Sequence, residues 1–112
     1  MPTLNSLQTI KLTAVTAANS QAFLPPNCTL VSVTFFNTTA NAVTGGIDMG
    51  TTNGGTDILS ATAVGANGKV VVSGSQLSKQ LFSETAFQQI FFTAHTSFNS
   101  SSLDVSFNYI QL

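Results

Sequence analysis

The strictest constraint in this sequence is a two-residue alternation of apolar and polar side chains that is repeatedly cut short. From Leu103 to Tyr109, Leu103, Val105, Phe107 and Tyr109 share one parity, and Asp104, Ser106 and Asn108 the other. Successive side chains of a strand point to opposite faces, so this pattern makes one dry face and one wet face, which a 3.6-residue period cannot do. Leu7 to Thr16 alternates in the same way, with Ile10, Leu12 and Ala14 against Thr9, Lys11 and Thr13. Thr29 to Phe36 is expected to turn Val31, Val33 and Phe35 inward, with Phe36 breaking the alternation and suggesting burial on both faces. Gln88 to Thr96 sets Ile90, Phe92 and Ala94 against Phe91, Thr93 and His95.

Shorter strands are expected at Gln21 to Leu24, Val43 to Met49, Thr56 to Val64 and Lys69 to Ser73, while Gln76 to Phe82 reads either as a helical turn or as a strand. The punctuation between them is chemical. Pro25-Pro26 cannot donate to a ladder. Gly65-Ala66-Asn67-Gly68 supplies the positive φ of a hairpin turn. Asn53-Gly54 marks another turn, Gly45-Gly46 a bulge, and Asn99-Ser100-Ser101-Ser102 a loop. Val, Ile and Thr number 30, whereas Glu, Lys and Arg together number four, which favours strand over helix. The expectation is an all-β chain of seven to nine short antiparallel strands forming a two-layer β-sandwich. Without the Cys…Trp…Cys pattern of antibody domains, the sandwich is expected to be jelly-roll-like. At 112 residues the chain makes one domain, read as an N-terminal arm over 1–7 and a sandwich over 8–112.

Charge is scarce. The ionisable acids and bases are Lys11, Lys69, Lys79, Asp48, Asp57, Glu84 and Asp104, 6% of the chain, with a net charge of −1. Three scattered Lys cannot neutralise a run of phosphates, so no nucleic-acid partner is expected. The longest apolar runs are three residues, such as Val70-Val71-Val72, against the roughly 20 a membrane span needs. No membrane partner is expected, and Met1 to Leu12 has no basic-then-apolar secretory pattern. A net charge near zero gives little repulsion between copies and favours association.

No catalytic, cofactor or metal site is expected. His95 is the sole histidine, and Asp104, across a hairpin, is the one carboxylate suggested as its partner. Cys28 has no basic neighbour to activate it and is expected to be a half-buried strand residue. Asp48 and Asp57 flank the Gly-rich stretch Gly45 to Gly55 without the alternating ligands of a calcium loop, and the stretch lacks the Gly-Lys-Ser/Thr of a phosphate loop. Three glycosylation acceptors begin at Asn27, Asn37 and Asn99, but nine Asn among 29 Ser and Thr produce such matches by composition. The Phe residues are more telling. Phe35-Phe36 and Phe91-Phe92 are adjacent pairs, so one ring of each must leave the core, which implies a covered sheet or a subunit contact.

The stretch Ala42 to Ile58 (AVTGGIDMGTTNGGTDI), with the Val64 to Gly68 turn and Phe82 to Ala86, resembles small β-rich structural proteins of tailed bacteriophage virions, such as capsid decoration (cement) and head-fibre proteins. The resemblance implies a non-enzymatic virion component on the capsid surface, present in the host cytoplasm during assembly. It implies a homotrimer whose other partner is the major capsid protein or another virion protein. On that reading Met1, Pro2, Thr3 and Leu4 belong to a docking arm, and Phe36, Phe91 and Phe98 fill a three-fold interface. The alternative is a tail, fibre or baseplate component with a receptor- or carbohydrate-binding tip, using Asn37 to Asn41 and Thr51 to Asn53.

Overall fold

The computed structural model describes residues 7–15, 22–82 and 84–111. Its strands are β1 (Leu7–Val15), β2 (Ala22–Leu24), β3 (Cys28–Asn37), β4 (Val43–Gly50), β5 (Leu59–Val64), β6 (Lys69–Ser73), β7 (Gln88–Ala94) and β8 (Leu103–Gln111). They form two antiparallel four-stranded sheets, ordered β1-β8-β3-β6 and β2-β7-β4-β5. The pairings nest: β4 with β5, β3 with β6, β2 with β7 and β1 with β8, as though one long hairpin had been wound up. Successive pairs fall in alternate sheets, and the contacts of β8 with β3 and of β7 with β4 close each sheet. This winding is the jelly roll.

The core lies between the sheets. Leu30, Val33, Phe35, Val105 and Phe107 come from the first, and Leu24, Ile47, Met49, Ile90 and Phe92 from the second. Such a residue stabilises the fold by about 1.5–3 kcal/mol relative to exposure. Ile10, Leu12 and Tyr109 pack against this core without being fully buried.

Several sequence expectations change. In β3 the register against β8 slips between Leu30 and Ser32, which opposite Tyr109 and Asn108 leaves Val31 as an extra residue. The bulge reverses parity, so Cys28 and Leu30 point inward and Val31 is only half-buried. Cys28 is therefore fully buried rather than half-buried. Phe36 faces outward and exposed, so β3 is not buried on both faces. Residues 56–58 lie outside β5, and the Ile58 N–H closes onto the Met49 carbonyl across the turn. Of the ambiguous Gln76 to Phe82 region, Gln76 closes a 3-10 turn over Gly74–Gln76, and Leu81 makes a lone bridge to Thr29; no regular strand forms. Leu7, read as the last residue of the arm, is instead paired with Ile110 in β1. Met1, Pro2, Thr3 and Leu4, like Gln21, Thr16 and the Ala14 side chain, lie outside the described residues.

Candidate functional site

The most constructed polar feature sits on the outward face of the second sheet, where β4 is irregular. Between Val43 and Ile47, β4 advances four residues while β5 retreats two, from Val64 to Thr62, so Gly45-Gly46 bulges as the sequence suggests. Gly46 takes φ +88°, a conformation that favours glycine. A second irregularity follows in β5, where Ala61 adopts φ +47°. An alanine held there carries about 1–2 kcal/mol of strain. The distortion aims the Ala61 N–H at Asp48 Oδ1, 2.7 Å away. The other carboxylate oxygen, Oδ2, meets His95 Nδ1 at 2.9 Å. Asp48 is nearly buried, whereas the His95 side chain is 51% exposed.

A carboxylate only accepts, so Nδ1 carries the proton and, in the neutral ring, Nε2 presents its lone pair outward. An acid that orients an imidazole supplies two of the three members of a hydrolytic triad. Among the described residues no hydroxyl or thiol is hydrogen-bonded to Nε2, and no group of three His, Cys, Asp or Glu could hold a metal ion. The pair also has a structural effect. It ties the bulged β4 to Ala61 on β5 and to the end of β7, where the His95 N–H also donates to the Gly46 carbonyl.

The partner suggested for His95 was the wrong acid. Asp104 lies on the outward face of the other sheet, opposite Phe36. Nor do Asp48 and Asp57 converge. Asp57 accepts from the Thr51 N–H at 2.8 Å and the Thr51 hydroxyl at 2.6 Å, closing the 51–57 turn. Partial burial pulls its pKa upward, but the Thr51 hydrogen bonds, its own N–H and the charge of Lys79 outweigh that and hold the carboxyl below its ordinary value. Burial alone pushes the Cys28 thiol up.

The two loops suggested for a single tip stand at opposite ends of β4. Asn37 to Asn41 precedes it and Thr51 to Asn53 follows it. At the first end, three loops are knitted together. Thr38 N–H reaches the Ser102 carbonyl, Asn67 N–H the Thr39 carbonyl, and the side chains of Asn41 and Asn99 the carbonyls of Ser100 and Ala42. Asn37, fully buried, accepts from both the N–H and hydroxyl of Thr39 and donates to the Asn41 carbonyl, so its side chain is no glycosylation acceptor in the folded chain. Asn67 does take the positive φ expected of the 65–68 turn.

The aromatic residues also regroup. Phe36 is outward on the first sheet, Phe91 outward on the second, and Phe98 packs against the core from the loop before β8. On a single chain these three therefore do not form one patch. A different pair does share a face. Phe23 on β2 lies opposite Gln89, and Phe91 follows Gln89 at the same parity of β7, while Phe87 immediately precedes that strand. Phe23 is 46% and Phe87 67% exposed, while the half-buried Phe91 lies opposite Gly50, which leaves room for its ring. Phe87 is legible only as the residue before the Gln88 to Thr96 pattern, and the pairing with Phe23 has no local signal.

No family model, curated protein or solved structure matches the chain. Among the described residues, no helix is long and apolar enough to cross a membrane.

Proposed function

We propose that the chain is a non-enzymatic structural subunit of a tailed-bacteriophage virion, a capsid decoration protein that assembles as a trimer and binds the major capsid protein. The observation that carries this reading is the Phe23–Phe87–Phe91 patch in a chain with so few charges. Clustered aromatic rings without charges are the composition of an interface core. Three such rings anchor a contact rather than complete it, since a stable one buries about 800 Å² on each partner. The patch borders β2, an edge strand of only three residues, so its neighbour must cover side chains rather than extend a long ladder. The jelly roll serves viral capsid and lectin domains alike, and is compatible with the reading without selecting it. An arm within residues 1–6, reaching the capsid protein, belongs to the same proposal.

The interlocked Asn-, Thr- and Ser-rich loops before β4 favour a second reading, a tail, fibre or baseplate component with a receptor-binding tip.

Light scattering of the purified protein, followed by mixing with undecorated phage capsids, tests the first reading. A trimer that binds capsids is expected, and the F23S/F87S double variant should remain folded but monomeric. A wild-type monomer that ignores capsids overturns the proposal.

A further inference from the structure

We infer that the outward face of the first sheet carries a binding site for an acidic saccharide, a hydroxyl-rich ring bearing a carboxylate. A groove of about 300 Å³ opens there, lined by Lys11, Thr34, Phe36, Lys69, Asp104 and Ser106 from all four strands. The register explains the convergence. Phe36 lies opposite Lys69 on one side and Asp104 on the other, and in the adjacent row Ser106 lies between Thr34 and Lys11. The core is filled by the opposite parity, Val33, Phe35, Val72, Val105 and Phe107, so these outward residues are not needed for packing.

Three of the chain's seven charged side chains line this one groove, and two of them are cationic. Phe36 lies in the same row, 44% exposed. The volume falls at the lower end of small-ligand sites. Each element suits one part of an acidic sugar. The Phe36 ring offers an apolar plate to the C–H face of the ring. Asp104, Thr34 and Ser106 exchange hydrogen bonds with hydroxyl groups. Lys11 and Lys69 attract the carboxylate. An acidic peptide would use the lysines, but it brings neither a sugar ring face for Phe36 nor a hydroxyl array for Thr34, Ser106 and Asp104. The inference is independent of the virion reading, whose proposed contact lies on the other sheet.

The test is titration of the ¹⁵N-labelled full chain with galacturonic acid oligomers, a neutral galactose oligomer and oligoglutamate, read by amide chemical shifts. Saturable shifts centred on Phe36, Lys69, Asp104 and Ser106 are expected from the acidic sugar, with a Kd on the order of 1 mM. Binding should weaken as salt rises. F36A and K69Q should each lose about tenfold in affinity, with unchanged urea midpoints showing that the fold survives. No shifts, shifts centred elsewhere, equal binding of oligoglutamate or the neutral sugar, or unchanged affinity in the two folded variants would overturn the inference.

Discussion

Replacing Gly46 by alanine tests the construction of the β4–β5 bulge. A Cβ at this position would lie 2.7 Å from the Thr62 nitrogen and nearer still to the Ala61 carbonyl, all of it backbone that cannot swing aside. Two costs add. A non-glycine residue at φ +88° carries left-handed strain of about 1–2 kcal/mol. Overpacking against backbone adds about 1–3 kcal/mol, because β5 must shift and its shift draws the Ala61 N–H away from Asp48. The expected loss is about 3 kcal/mol, a large share of the 5–15 kcal/mol that holds such a domain together. At roughly 4 °C per kcal/mol for a chain of this size, Tm falls by about 12 °C. Gly54→Ala is the control. Gly54 also has a positive φ, +77°, but a Cβ there meets nothing within 4 Å. Only the conformational cost remains, about 1 kcal/mol and about 4 °C. The chain has no Trp, so scanning calorimetry or urea unfolding followed by far-ultraviolet circular dichroism is the appropriate assay. Equal losses in the two variants, or a loss below about 0.5 kcal/mol for Gly46→Ala, would refute the steric argument.

Asp48→Ala leaves the Ala61 N–H without its acceptor and is expected to cost about 1–3 kcal/mol, whereas His95→Ala, removing the half-exposed hydrogen-bond partner of Asp48, should cost less than about 1 kcal/mol; urea midpoints reversing that order would show that His95, not the Ala61 N–H, is the main support. Asp57 has a lowered pKa in the folded chain, so the unfolded chain takes up its proton first as pH falls. Its contribution is complete above the unfolded value near 3.9 and is lost as pH drops through the folded value. Thr51→Val, which removes the hydroxyl donor, should therefore flatten the decline of the urea midpoint below about pH 4; an unchanged acid limb would contradict this assignment.

Much of the fold was legible because strand parity is local. Leu103, Val105 and Phe107 are all buried as their alternation implies, and Pro25, Asn67 and Gly46 sit where their φ preferences place turns and a bulge. Val31 shows the limit of that reasoning. Nothing in Thr29 to Phe36 signals the extra residue, because a bulge exists only relative to its partner strand, and it exchanges Val31 for Leu30 in the core. The site was harder still. Asp48 and His95 are 47 residues apart and meet because β4 pairs with β7, whereas closeness in sequence points to Asp104.

By itself, then, the sequence determined an all-β sandwich, its approximate strands, its turns and a chain poor in charge. Those follow from side-chain parity, backbone preference and composition, each a property of a few neighbouring residues. Tertiary structure alone decided which strands adjoin, how the bulges shift their register, and hence which outward residues share a surface. Phe36, Phe91 and Phe98 are all surplus to simple alternation, yet they lie apart, while Phe23 joins the face of Phe91 across the β2–β7 pair, with Phe87 just before β7. Only the nested pairing of distant strands sets these neighbours, and each bulge resets the parity from which a local reading must work.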